Sequence, residues 1–326
     1  MNLSFQKQPV MRTVLYSLIP VILASIYFFG WVCGMILLLS VLTCTLTEWL
    51  LVRARSGKVT EAAWVTAVLF GLSLPPTVPW FMVVVGAAFS IIFAKMAFGG
   101  FGMNIFNPAL SGRAFIYIAF PTYMSNRWVP AADWSAFPGG MLSWSMPETT
   151  LTSATPLIAM RDGIPVDLSY WKLLLGNING SIERMGESTL LGGGSLGEGS
   201  ALLILIGGLF LLAKKISNWR VVTAFFGGIL LFSGLIYGFD PAHAPTPLFC
   251  LLSGGVMLGG FYMITDPVSS ARTIPGQWIY GGLTALFTVL IRTWSLFPEG
   301  MMFAVLLGNM FNPIIDYSVK MVSTKS

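Results

Sequence analysis

Ten apolar runs follow one another along this chain of 326 residues, at 12–30, 31–52, 62–75, 78–97, 104–124, 199–214, 219–239, 245–265, 276–294 and 298–319. A bilayer core about 30 Å thick needs about 20 mostly apolar residues per spanning helix, and most of the runs meet that length. The third is short and ends in Leu74-Pro75-Pro76, which predicts a broken or re-entrant element. Composition agrees: charged residues make up 10% of the chain, against about 25% in soluble domains, too few to cover a particle wetted on all sides. A water-soluble globule is excluded, and the chain is expected to be an all-α polytopic membrane protein.

The net charge of +5 would suggest a nucleic-acid partner in a soluble protein. Here the basic residues sit in short loops between apolar runs, so they report topology instead, and no nucleic acid is expected. With the N-terminus in the cytoplasm, Lys7, Arg12, Arg53, Arg55, Lys58, Lys95, Lys214, Lys215, Arg220, Arg272, Lys320 and Lys325 fall inside, while only Arg127, Arg161, Lys172, Arg184 and Arg292 fall outside. That asymmetry predicts both termini in the cytoplasm. Trp31, Trp49, Trp64, Trp80, Trp219, Trp278 and Trp294 lie near run ends, where amphipathic rings favour the interface. Lys7 and Arg12 precede the first run as in a signal peptide, but no small-residue cleavage pattern follows, so that run reads as a retained span. Cys33, Cys44 and Cys250 lie inside apolar runs without CxxC spacing and read as buried small hydrophobes, not as metal ligands.

One long polar segment interrupts the pattern. It divides the chain into a first transmembrane half (1–124), a periplasmic loop (125–198) and a second transmembrane half (199–326). The loop's last stretch, from Leu191 to Ser200, is rich in glycine and predicts a flexible tether.

Asn104-Ile105-Phe106-Asn107-Pro108 recurs as Asn309-Met310-Phe311-Asn312-Pro313. Each copy follows an apolar helix ending in a basic residue, Lys95 or Arg292, and the shared flanks favour a repeat over chance. Five spans separate the copies, and an odd number reverses direction across the bilayer, so two inverted repeats of five helices are expected. Asn-Pro suits a helix break: proline removes a donor and discourages helix before it, and asparagine can pair with freed backbone groups. A simple proline kink suits each copy taken alone equally well.

Ionisable groups inside the membrane are functional candidates because burying them is costly. Arg113 is the clearest, ahead of Glu48, Asp266 and Asp316; Glu48 and Asp316 read more readily as ion pairs or as side chains reaching the interface. His243 is alone in an outer loop and is given no ligand role. No P-loop, GxGxxG, HExxH or Ser-His-Asp set is present, so hydrolysis and nucleotide binding find no support, and no catalytic side chain or metal site is assigned. The hydroxyl-rich run from Glu148 to Leu157 reads, by itself, as a solvated loop.

Several stretches together resemble one family. They are Phe106-Asn107-Pro108-Ala109-Leu110-Ser111-Gly112-Arg113-Ala114-Phe115, Ser153-Ala154-Thr155-Pro156-Leu157, Leu252-Ser253-Gly254-Gly255, Thr265-Asp266-Pro267-Val268-Ser269, and the block from Arg292 to Tyr317. The chain resembles the D subunits of Rnf complexes, ion-translocating ferredoxin:NAD oxidoreductases, and is similar along its length to the B subunits of sodium-pumping NADH:quinone reductases. The short stretch before the first span favours the former. The resemblance implies FMN esterified through its phosphate to the threonine of a (Ser/Thr)-x-Ala-Thr segment, here Thr155, with Ser153 and Ala154 in the attachment motif. This chain departs from the pattern in having Thr149 where an aspartate is common and Ser153 in place of glycine. Pro156 biases Thr155 to an extended backbone, open to a modifying enzyme.

The resemblance also implies an inverted-repeat core like that of urea transporters and a non-covalent riboflavin, for which Asn107, Arg113 and Asn312 are the candidate surroundings of a core flavin or ion. The implied function is a membrane component of a redox-driven Na⁺ or H⁺ pump in the bacterial inner membrane. It would carry electrons alongside the other Rnf subunits (A, B, C, E and G) after maturation by a flavin transferase. The alternatives are the B subunit of the quinone reductase and, from another class, a urea-transporter-like solute channel, which would have no use for an acceptor threonine.

Overall fold

Pairing of the backbone inside each segment is what lipid demands, and helices supply it. The computed structural model describes residues 5–53, 57–125, 128–133, 137–142, 156–161, 168–176, 181–184, 187–190, 192–241, 244–295, 297 and 299–325. A short strand β1 (Phe5–Gln6) leads into helix α1 (Pro9–Phe29), and α2 (Trp31–Arg53) follows. Strand β2 (Val59–Thr60) pairs in parallel with β1 and precedes α3 (Ala62–Leu72). Then come α4 (Trp80–Ile91), prolonged by a π-helical turn Ile92–Met96, α5 (Pro108–Ala119) and α6 (Pro121–Ser125). The intervening segment contributes α7 (Pro156–Arg161), α8 (Tyr170–Leu175) and the antiparallel ribbon of β3 (Ser181–Arg184) and β4 (Glu187–Leu190). The second half holds α9 (Ala201–Ala213), α10 (Trp219–Phe239), α11 (Pro247–Leu252), α12 (Val256–Leu258) with its π turn Gly259–Met263, α13 (Ile274–Trp294) and α14 (Met301–Lys325).

Five of these helices, α1, α2, α10, α13 and α14, are long and apolar enough to cross a membrane, and α3, α4 with its π turn, and α9 are shorter apolar helices. On α2, Leu38, Leu42, Leu46 and Leu50 recur every fourth residue, and each is more than half exposed. A leucine stripe facing outward on a long helix makes sense only against lipid. Trp80, Trp219 and Trp294, all exposed, stand at helix ends, at the depth where an indole meets headgroups. The protein is an all-α polytopic membrane protein.

In the first half α2 packs on α3 and α4, and α4 on α5; in the second, α10 packs on α11 and α13, and α13 on α14. Contacts between α1 and α9 and between α5 and α14 join the halves. Tyr280, Phe28, Phe70 and Phe225 are among the largest wholly buried side chains. The three cysteines are buried and free.

The structure departs from the sequence reading in four places. The run 245–265 is two helical pieces, because Ser253-Gly254-Gly255 interrupts it and Gly254 takes a φ of +62° that a Cβ would disfavour. The run 104–124 becomes helical only at Pro108, whose missing N–H is one of the first-turn donors that needs no partner in the helix. The second Asn-Pro pair does not begin a helix: Pro313 lies inside α14, where it offers no N–H to the preceding turn. Finally, the glycine-rich stretch is packed, not a tether. Residues 192–200 are buried apart from a half-buried Glu198; Gly193 N–H donates to the Val129 carbonyl and Leu196 N–H to the Leu74 carbonyl. That last bond satisfies a carbonyl freed where Pro75-Pro76 ends the half-length third element, as a membrane interior requires.

Candidate functional site

Two polar clusters lie along α5, one at its N-terminal cap Asn107 and one at Arg113. At Arg113, α5, α13, the α11–α12 break and the 3₁₀ turn Leu196–Glu198 converge. Arg113 projects from α5 and forms an ion pair with Glu299, which lies just before α14. Its guanidinium also donates to the Ser195 hydroxyl at 3.0 Å. Ser195 caps the 3₁₀ turn reciprocally with Glu198. Arg292, near the end of α13, donates to the carbonyls of Cys250 (2.8 Å) and Ser253 (3.1 Å), and its Nε to the Glu299 carbonyl at 3.3 Å. One guanidinium thus takes up the carbonyls left over where α11 stops. Burial pushes the Glu299 carboxyl up to about 7, against the opposing pull of Arg113.

A small cavity of about 30 Å³ opens beside this cluster, lined by Pro156, Leu157, Glu198, Ser253, Gly254 and Glu299 among others. It has room for one or two water-sized groups. Two polar atoms at the cluster, the Ser253 hydroxyl and Arg113 Nε, are buried without a hydrogen-bond partner among the described residues. Buried polar atoms are normally paired, so these two point to a ligand or ordered water that completes the set.

At the other cluster, Asn107 caps α5. Its Oδ1 accepts from the N–H groups of Ala109 (3.0 Å) and Leu110 (3.3 Å), and its Nδ2 donates to the Met263 carbonyl. The two copies of the repeated motif meet here, for Asn107 N–H donates to Asn309 Oδ1 at 3.1 Å. Asn107 borders a cavity of about 110 Å³ whose walls include Leu69, Phe101, Phe261 and Tyr262, with Lys95 and Asp266 as ionisable groups. Nearby, Glu61 accepts from Gln8 N–H (2.7 Å) and Arg12 Nε (2.9 Å), and the Arg12 guanidinium holds its carboxyl below the ordinary range.

The sequence-derived candidates separate in space. Thr155, Ser153 and Ala154 lie outside the described residues, but Pro156, to which Thr155 is joined, lines the small cavity. Arg113 belongs to the cluster beside that cavity. Asn107, six residues earlier and so about 9 Å back along α5, serves the other. Asn312 borders neither cavity; it faces an open hollow shared with Asn309 and Asp316, and its Nδ2 donates to the Ser269 carbonyl at 2.8 Å. Thus Asn107, Arg113 and Asn312 do not surround one ligand. His243 lies outside the described residues. Asp316 accepts from the N–H groups of Arg272 (2.9 Å) and Thr273 (3.0 Å). Of the two readings of Glu48 the ion pair holds, for it is paired with Lys95 in the interior.

Glu299, Ser195, Glu198 and Ser253 escaped the sequence reading. The available signal was Pro298-Glu299-Gly300, a lone acid between turn formers at the mouth of an apolar run.

The sequence profile of the NQR2, RnfD, RnfE family matches residues 3–325. The chain belongs to this family. Among members it resembles, the D subunit of the ion-translocating oxidoreductase complex of Aliivibrio salmonicida is 34% identical over 96% of this chain and 93% of its own length. The D subunit of Aeromonas hydrophila is 37% identical, covering 95% and 92%. That of Salmonella typhimurium is 35% identical, covering 96% and 92%. Membership of the NQR2, RnfD, RnfE family is what the resemblance of the quoted motifs implied, and the match runs through both halves and both polar clusters.

Proposed function

We propose that this chain is the D subunit of an ion-translocating oxidoreductase complex in the bacterial inner membrane, with both termini in the cytoplasm. It works as one electron-carrying member of a redox-driven Na⁺ or H⁺ pump, beside the other Rnf subunits. FMN is attached through its phosphate to Thr155 by a flavin transferase. The identity of 34 to 37% to D subunits over nearly the whole chain supports the assignment to such a complex. The observation that carries the flavin reading is the position of Pro156: the residue bonded to Thr155 borders a cavity lined also by Glu198, Ser253 and Glu299, and the Ser253 hydroxyl is buried without a partner among the described residues.

The lining of this cavity does not by itself suit a phosphate, since its ionisable residues are Glu198 and Glu299 and no basic residue is among them. The cavity has space for phosphate oxygens and none for a tricyclic ring, and Gly254 keeps its wall bare: a Cβ there would come within 2.7 Å of Arg292 Nη2. When bound, the isoalloxazine ring supplies the electron-carrying chemistry. The chain's own part is to hold and orient. Leu157 packs with Leu173 and Phe249, fixing the segment after the acceptor to α8 and α11. Arg113 and Arg292 stand behind that lining, each already engaged: Arg113 with Glu299 and the Ser195 hydroxyl, Arg292 with the carbonyls of Cys250, Ser253 and Glu299.

Expression of the complex with its transferase, followed by a denaturing gel, tests the reading. The parent chain fluoresces as a flavin under ultraviolet light and Thr155→Val does not; retained fluorescence in the valine variant would rule Thr155 out as the acceptor.

A further inference from the structure

From Ala97 to Asn107, between the π turn that ends α4 and the first residue of α5, the chain has neither helix nor strand. The segment carries no charge, and Phe98, Phe101, Met103 and Ile105 are all exposed, Met103 most of all at 66%. Gly99, Gly100 and Gly102 have φ of +116°, +103° and +88°, left-handed values that a side chain disfavours. Lack of space is not their reason, since a Cβ on Gly102 would meet nothing within 4 Å. The glycines serve the path of the loop. Hollows lie on both sides of it. Gly99, Gly100 and Phe101 line one of about 290 Å³, shared with Glu48 and Lys58. Gly102, Met103 and Ile105 line another of about 350 Å³, shared with Arg272, Asp316 and Lys320.

Neither hydrocarbon nor water suits this surface. The N–H groups of Gly99, Gly100 and Met103 find acceptors in the carbonyls of Met96, Lys95 and Gly100, but those of Phe101, Gly102 and Ile105 find none among the described residues. Hydrocarbon would leave them stranded. Water would satisfy them, yet it would meet four large apolar side chains in one short stretch, a pattern that marks an interaction site. Another protein offers both carbonyls for the N–H groups and apolar side chains for the rest. The charges beside the loop narrow its chemistry. In one hollow Glu48 is offset by Lys95, which leaves Lys58 in excess; in the other Asp316 is offset by Lys320, which leaves Arg272. A partner with a carboxylate on each side of an apolar centre matches that order.

We propose that the loop 97–107 is a docking ridge for another subunit of the complex, which packs apolar side chains against Phe98, Phe101, Met103 and Ile105 and sets acidic groups toward Lys58 and Arg272. The inference rests on the reading of the chain as one subunit of a multi-subunit complex. The partner's carbonyls take up the N–H groups that the loop leaves over. The ridge is held at both ends, by the Lys95–Glu48 pair before it and by the Asn107 cap of α5 after it. A surface fixed in advance loses little freedom on binding.

The test uses the whole complex, purified through an affinity tag on this chain, as parent, Met103→Glu and Met103→Leu. Met103→Glu sets a like charge against the partner's acidic groups and is expected to lower the recovery of other subunits severalfold, with Met103→Leu close to the parent. The chain itself, run alone in detergent, is expected to stay monodisperse in both. A photo-activated benzophenone side chain placed at position 103 is expected to join this chain to another subunit, identified from the cross-linked peptides. Full recovery of the subunits by a folded Met103→Glu overturns the inference, and so do cross-links to phospholipid alone or to nothing. Should Met103→Glu fail to fold, Lys58→Glu combined with Arg272→Glu takes its place: severalfold loss of the other subunits supports the ridge, and recovery equal to the parent overturns it. A parent chain that brings down no other subunit overturns this inference together with the reading beneath it.

Discussion

Lys95 Nζ lies 2.7 Å from Glu48 Oε2, with both side chains almost wholly shielded from solvent, at 3% and 1% exposure. Thr60 completes the arrangement. Its hydroxyl accepts from Lys95 at 2.6 Å and donates to Glu48 Oε1 at 2.7 Å, and its N–H donates to the same oxygen at 3.1 Å. The π-helical turn at the end of α4 is thereby clamped to α2 and to strand β2. Removing one member of a buried pair leaves the other charge uncompensated, at a cost of about 3–5 kcal/mol. Lys95→Met is therefore expected to lower the unfolding midpoint in detergent sharply, and Glu48→Leu added to it is expected to recover much of the loss. A Lys95→Met protein as stable as the parent would count against the pair.

Asn107 does two jobs with one side chain, capping α5 through its oxygen and bonding the Met263 carbonyl through its nitrogen. Loss of such a cap costs about 1 kcal/mol, so Asn107→Ala is expected to destabilise by at least that much. Asn107→Asp keeps the cap but sets an oxygen against the Met263 carbonyl. It is expected to be no better than alanine in the same melt, and full recovery by aspartate would mean that the bond to Met263 contributes nothing.

Glu299 gives the stability a pH signature. Its folded pKa, about 7, lies above the ordinary 4.5 because burial disfavours the charged form. The folded protein therefore holds a proton that the unfolded chain has lost, and this contribution is full below about pH 4.5 and disappears as pH rises through about 7. Melting temperatures measured across that window are expected to fall with rising pH in the parent and to fall less steeply in Glu299→Gln. Parallel curves for the two proteins would exclude the assignment.

Helices α4 and α5 approach so closely that no side chain fits between them at Gly112. A Cβ there would collide with the Ser90 hydroxyl and come within 2.6 Å of the Gly86 carbonyl oxygen, which is backbone and cannot swing aside. Small residues allow this kind of packing where the hydrophobic effect no longer drives helices together. Gly112→Ala is expected to reduce the yield of monodisperse protein in size-exclusion chromatography. Gly227→Ala, on a site with nothing within 4 Å, is expected to match the parent. Equal yields for the two variants would refute the steric argument.

Legibility in the sequence followed the range of the interaction. The apolar runs 12–30, 31–52, 219–239 and 276–294 became α1, α2, α10 and α13 within a few residues, because length and hydropathy are local properties that lipid reads directly. The break at 253–255 was hidden inside a run of adequate length and hydropathy. Lys95 illustrates the opposite failure. In sequence it is a basic residue at a span end, suited to headgroups, and only its pairing with Glu48, 47 residues away, keeps it inside. The glycine-rich stretch before Ser200 has the composition of a linker, yet its glycines let it lie against α1 and the end of α3, where Leu196 N–H caps a stranded carbonyl.

From the order of its residues alone, the chain was bound to be a helical membrane protein of this family, with a hydroxyl-rich polar segment between its halves and an Asn-Pro motif in each half. Composition and short motifs suffice for that, since a bilayer selects on local hydrophobicity. The tertiary structure decided that Asn107 and Asn309 touch, that Asn107, Arg113 and Asn312 serve three different places, and that Arg113, Glu299, Arg292 and Ser253 gather beside Pro156. Those choices arise where broken helices leave backbone groups unpaired in an apolar medium. Which distant side chain comes to satisfy them is a matter of packing that no local stretch of sequence encodes.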